Sequence, residues 1–267
     1  SHMLGTSLLT VIFNNIYTFL LGKYYSINQV GFYTQGYKLS DSVNFTFIAI
    51  LSTSYNLFAK IQHQQDRIKR ILGELVKQTS LITIPATLFL IVAAKPLIIT
   101  LLGIKWLEAV PYFQLICAAN LFAPIYQINV HSLNSIGKSN ITFRMELIKR
   151  MLILVSVIVC FSQGIIIMLL GYVVSCWIAF ICSIWYIKHN IGSYYLHQIK
   201  QFLPNLILGT TIGGVVFALN FTTENYILCI CMQIIVAIII YVFYIKIWQN
   251  DLYVKATDLI KHTFLKK

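Results

Sequence analysis

The sequence predicts an all-α fold of the polytopic membrane kind, a bundle of about eight transmembrane helices. Three observations predict it. Hydrophobic residues make up 58% of the 267 and charged residues only 10%, where an ordinary soluble domain carries about 25% charged residues. Apolar runs of crossing length recur from end to end. The basic residues alternate between them: sixteen of the twenty Lys and Arg fall in residues 60–77, 138–150, 188–200 and 246–267. By the positive-inside bias those segments, and both termini, lie in the cytoplasm.

In order along the chain, Ser1, His2 and Met3 read as a cloning scar, and no basic stretch before the first apolar run suggests a signal peptide. The first span, about residues 4–21, is amphipathic. Ser7, Thr10, Asn14, Asn15 and Thr18 share one half of the helix, and Leu9, Ile12, Phe13, Ile16 and Leu20 the other. The second span, within residues 31–60, carries Lys38 and Asp41. Its polar residues Thr34, Gln35, Lys38, Asp41, Ser42, Thr46, Ser52 and Thr53 fall within an arc of roughly 140°. A charge at the bilayer centre costs on the order of 3 kcal/mol, so such residues face a cavity or the bundle interior and pair with one another. Lys38 and Asp41, three apart, can pair. The pair either pins two helices together or lines a substrate path.

The third span is expected over about residues 80–94 and contains Pro85, which removes a backbone donor. Residues 95–108 suit an interfacial segment. The fourth span, about 109–130, is interrupted by Pro124 and sets Asn120, Gln127, His131 and Asn134 near one line of the helix. Residues 151–187 are too long for one crossing, and Ser162, Gln163 and Gly164 mark the turn between spans five and six. Residues 191–202 read as a helix along the headgroups. Spans seven and eight follow at about 203–219 and 226–247, with Gly209 and Gly213 permitting close helix approach, and 248–267 form a basic cytoplasmic tail.

Several function classes fall away. The net charge of +12 is spread over short loops between apolar runs, which argues against a nucleic-acid partner and for membrane lipids. The six cysteines, Cys117, Cys160, Cys176, Cys182, Cys229 and Cys231, lie inside apolar stretches away from His or carboxylate clusters and read as small buried hydrophobes. No cofactor or metal is expected. An enzyme would need acid and base groups and a sizeable outward loop, whereas the carboxylates outside the cytoplasmic segments are Asp41, Glu108 and Glu224.

Four segments carry a family resemblance: GKYYSINQVGFYTQGYKLSD from residue 22, LFAKIQHQQDRIKR from 57, KPLIITLLGIKWLEAVPYFQLI from 95 and SLNSIGKSN from 132. In their order and spacing the chain resembles the Wzx-type polysaccharide flippases of the MOP superfamily. That resemblance implies alternating access between two helical lobes. The cargo it implies is a lipid-linked oligosaccharide of the undecaprenyl-pyrophosphate type, expected to be carried across the bacterial inner membrane for surface polysaccharide or lipopolysaccharide synthesis. It implies that residues 4–188 form a six-helix second lobe and that 189–247 add an amphipathic linker and two further helices. The N-terminal lobe of the parent chain would be missing. Asn14, Asn15, Gln35, Lys38, Asp41, Asn120, Gln127 and His131 are then the expected substrate-binding residues, with Lys38 on the phosphate and the amides on the glycan. Relatives often carry charge where this chain has Asn14 and Tyr17. Two alternatives stay open: a cation-coupled exporter of the MATE branch, expected to centre on buried carboxylates where only Asp41 is embedded here, and a structural subunit of a membrane complex.

Overall fold

A computed structural model describes residues 21–61, 64–192, 195–223 and 225–248. The first span with Asn14 and Asn15, the scar, and the tail beyond Trp248 lie outside the described residues, as do the side chains of Ser42, Thr46, Ser52 and Thr53. The described elements are helices joined by short turns. They are α1 (Ile27–Lys60), α2 (Gln65–Val92), α3 (Ala94–Leu102), α4 (Val110–Asn120), α5 (Ala123–Ser135), α6 (Ser139–Cys160), α7 (Ile165–Ile191), α8 (Tyr195–Leu219) and α9 (Tyr226–Trp248). Single 3-10 turns occupy Ile104–Ala109 and Phe161–Gln163.

Local chemistry sets most boundaries. Ser26 and Gln29 form a reciprocal capping box that starts α1. Gly103, Gly164 and Gly192, at φ 90°, 103° and 73°, end α3, open α7 and close α7, conformations that a side chain would strain. Leu121 and Phe122 break the fourth span into α4 and α5, and Pro124 lies in the first turn of α5, where its missing N–H is harmless.

Five stretches of the described residues are long and apolar enough to cross a membrane: Gln65–Val92, Ile104–Ser135, Ile165–Ile191, Gln198–Leu219 and Tyr226–Ile247. With α1 of 34 residues and α6 of 22 residues, which are long enough but carry more polar groups, these account for seven of the expected spans.

Three expectations are corrected. The third span is the second half of one 28-residue helix, α2, that already begins at Gln65 and runs on through Pro85, so the basic residues 67–77 are helical rather than a loop. Residues 191–202 do not form a separate surface helix: α8 runs unbroken from Tyr195 through Pro204, with Gln198 and Phe202 buried. Not every cysteine is buried; Cys231 is exposed on α9.

The main core gathers Phe58 of α1, Ile68, Leu72, Val76 and Ile84 of α2, Ile125 and Ile128 of α5, Phe180 and Ile184 of α7, and Phe202 of α8. Phe122 stacks on Phe180 with ring centroids 4.6 Å apart. Helix α8 runs alongside α2, and a Cβ added at Gly209 would come within 2.7 Å of Leu88 and 3.3 Å of both Ile84 and Pro85. That is the close approach expected from the glycine pair, carried by Gly209 rather than Gly213. Buried amides tie the helices where lipid offers no hydrogen bonds. Asn129 of α5 donates to Ser183 of α7 at 2.9 Å and accepts from Gln198 of α8 at 2.6 Å.

Candidate functional site

Counting residues along three helices locates one level in the bundle. Arg150 lies ten residues before the end of α6, Cys176 eleven residues after the start of α7, and Tyr37 ten residues after the start of α1. At 1.5 Å per residue each is about 15–17 Å from the same end of the bundle, close to the middle of a hydrocarbon layer about 30 Å thick. Residues 138–150 were expected in a cytoplasmic loop. Instead Ser139 to Arg150 form the first half of α6, continuous with the apolar half that runs on to Cys160.

At that level α6 presents Glu146 and Arg150 one turn apart on one face. Arg150 Nε lies 3.8 Å from Glu146 Oε2, and the side chains are only 14% and 12% exposed. Tyr126 of α5 donates its hydroxyl to Glu146 Oε1 at 2.9 Å. The Lys149 ammonium sits 4.7 Å from the centre of the Tyr126 ring, a cation over an aromatic face. Tyr37 of α1 is within electrostatic range of both Asp41 and Arg150, and Tyr172 of α7 is within range of Cys176, Tyr33 and Tyr37. The rings of Tyr33 and Tyr37 are 6.2 Å apart. Asn120, Phe122, Tyr126, Lys149, Cys176 and Phe180 line a cleft of about 20 Å³, room for about one water. Two cations, one or two carboxylates and a set of phenols thus converge from four helices. Such charges persist in a bilayer when they are paired and face the bundle interior.

The expected residues divide around this level. Asn120 lines the cleft, and its amide donates to Ser40 of α1 at 3.5 Å, joining the fourth span to the second. Asp41 shares the electrostatic surroundings of Tyr37 with Arg150; Lys38 and Asp41 are both exposed on α1 and Gln35 is half-buried. Gln127, half-buried, directly follows Tyr126. His131 is elsewhere. Its Nδ1 lies 3.1 Å from Ser54 Oγ and its ring packs edge-on to Tyr55, eleven residues from Asn120 and about 16 Å further along the span.

The residues that sequence reasoning missed are Tyr126, Glu146, Lys149, Arg150 and Tyr172. A length signal pointed to them. The apolar run after Arg150 reaches the Ser162 turn in about eleven residues, half of what a crossing requires, so the helix has to begin a few turns earlier and draw Glu146 and Arg150 inside. No group of three or more potential metal ligands occurs among the described residues.

The arrangement of helices matches a solved membrane flippase. The lipid II flippase MurJ in its inward closed conformation superposes with a TM-score of 0.73 over 94% of this chain and 53% of that one, at 18% identity. The fold is that of one half of a MurJ-like helical bundle, and the chain is a multi-pass membrane protein. Among characterised sequences it is similar to the teichuronic acid biosynthesis protein TuaB of Bacillus subtilis (strain 168), 21% identical over 218 residues covering 79% of this chain and 44% of the relative. It is also similar to the lipopolysaccharide biosynthesis protein WzxC of Escherichia coli (strain K12), 23% identical over 217 residues covering 78% and 44%. A family model described as polysaccharide biosynthesis protein matches residues 1–111. These matches bear out the resemblance to the MOP-type polysaccharide flippases. The chain spans less than half the length of these curated relatives.

Proposed function

We propose that this chain is one lobe of a transporter that flips lipid-linked oligosaccharide across the bacterial inner membrane for surface polysaccharide or lipopolysaccharide synthesis, by transport rather than catalysis. The observation that carries this reading is the pair Lys149 and Arg150, half-buried about 15–17 Å from the end of α6 among Tyr33, Tyr37, Tyr126 and Tyr172. A diphosphate linked to a sugar needs such a surface: cations for the phosphates, and ring faces and hydroxyls for the glycan. The cleft itself takes a water and not a sugar, so the glycan lies against the polar side of α1, where Gln35, Lys38 and Asp41 are, and is enclosed by a second lobe rocking against this one. A cation exporter is disfavoured because its cargo would meet Lys149 and Arg150. Reconstitution of this lobe with its partner lobe tests the reading directly. Fluorescent undecaprenyl-pyrophosphate sugar should change leaflets faster than in protein-free vesicles, and equal rates would refute transport.

Both termini are assigned to the cytoplasm. The basic residues of 60–77 and 246–267 motivate this, together with the turn at residues 161–164 on the opposite side. A cysteine placed at Ser162 should react with an impermeant thiol reagent in intact cells, and one at Gln65 only after permeabilisation. Reaction at Gln65 from outside would overturn the orientation.

A further inference from the structure

Glu146 has no place in a surface built simply to attract phosphate, yet it faces Arg150 and shares Tyr126 with Lys149. Its two oxygens have different partners: Oε1 accepts from the Tyr126 hydroxyl at 2.9 Å, and Oε2 faces Arg150 Nε at 3.8 Å. The first is a well-formed hydrogen bond. The second is longer than a hydrogen bond, so this carboxylate is anchored to α5 and only loosely committed to the guanidinium. Lys149 rests on the ring of the same tyrosine. We propose that Glu146 is a built-in stand-in for the substrate's phosphate, holding Arg150 and Lys149 in position while the site is empty and giving up Arg150 when an anionic headgroup arrives.

The proposal rests on reading Arg150 and Lys149 as the phosphate site. It adds that headgroup and carboxylate compete for one guanidinium. The charge count supports it: Lys149, Arg150 and Glu146 sum to one positive charge, and Asp41, which shares the surroundings of Tyr37 with Arg150, lowers it further, too little to hold a pyrophosphate and a carboxylate side by side. The exchange also serves turnover. A site of two bare cations would bind the headgroup and keep it, whereas a competing carboxylate lowers the affinity and helps release on the far side. Glu146 is thus a positioning and release residue.

The test is binding by this chain in nanodiscs of zwitterionic lipid, with farnesyl pyrophosphate as probe and farnesol as the uncharged control. Glu146→Gln keeps an acceptor for Tyr126 and removes the charge. It should bind farnesyl pyrophosphate about tenfold more tightly or better, as expected for removing one like charge at close range, with farnesol binding unchanged. Glu146→Ala removes the same charge without the hydrogen bond and should shift affinity in the same direction. A merely structural Glu146 would instead loosen the site, so unchanged or weaker binding in folded Glu146→Gln overturns the proposal. A different pattern marks failure of the underlying reading. If the unsubstituted chain and Arg150→Gln bind farnesyl pyrophosphate no better than farnesol, the phosphate site itself is wrong and the proposal falls with it.

Discussion

Arg150→Ala in the complete transporter should reduce surface glycan by about a hundredfold or more at matched protein level. Charge-assisted hydrogen bonds to a phosphate contribute about 1.5–3 kcal/mol each, and the guanidinium offers two in parallel. Losing both corresponds to more than two decades in affinity. Arg150→Lys keeps the charge and loses the fork, so it should retain roughly a tenth of the export. Arg150→Ala also leaves Glu146 buried at 12% exposure without its cation, which costs about 3–5 kcal/mol when one partner of a buried pair is removed. The double variant Arg150→Ala with Glu146→Ala separates the two effects: it should recover protein stability and leave export absent. Export recovered in the double variant would show that the pair only holds helices together. Lys38→Ala with Asp41→Ala, measured in the same cells, applies the same logic to the exposed charges of α1. Loss of export there would place Lys38 on the substrate path, and normal export would remove it.

The second large effect is structural. Gly209→Leu should lower the melting temperature of the chain in detergent by about 6–12 °C, from an overpacking penalty of about 3 kcal/mol at roughly 2–4 °C per kcal/mol. The Cβ alone would approach Leu88 to 2.7 Å and the backbone of Pro85 to 3.3 Å, and the Pro85 backbone cannot move aside as a side-chain tip can. Gly213 supplies the control on the same helix. A Cβ there would meet Val92 at 3.6 Å, ordinary contact distance, so Gly213→Ala should leave the melting temperature within a degree or two. Equal losses at both positions would mean that helix propensity rather than the α2–α8 approach governs this region.

These two residues mark what could and could not be read from the sequence. Gly209, the Pro124 break, the turn at Ser162 to Gly164 and the polar side of α1 were legible because each depends on local chemistry: a missing side chain, a missing donor, a positive φ, a period of 3.6. Arg150 was not. Charge was used to place segments outside the membrane, and that rule holds only for charges without partners. Glu146 is one turn away and could have been noticed, but the tyrosine that anchors it, Tyr126, arrives from α5, twenty residues earlier in the chain. The loop assigned to Arg67, Lys69 and Arg70 likewise turned out to be the first turns of the helix that continues to Val92. His131 illustrates the opposite error. Its spacing from Asn120 and Gln127 put it on a polar stripe, but the distance along the span carries it to Ser54 and Tyr55 instead.

Helix α9 has only 11% of its most apolar window buried against the rest of the protein. Gln233 ties it to the Val216 carbonyl and to Asn220, Ala237, Ile240, Tyr241 and Tyr244 pack against the cluster around Leu208 and Ile212, and most of its remaining apolar surface is exposed. Its 22-residue span Tyr226–Ile247 measures about 33 Å along the axis, a few ångströms more than an average bilayer core. The surrounding lipid therefore acts as the second binding partner of this helix, and acyl-chain length tunes how steeply it leans. In a thin membrane α9 has to tilt away from α8 or drag its end groups into the headgroups, at a fraction of a kcal/mol per ångström of mismatch. Membrane thickness thereby becomes a setting of the shape of this half-bundle.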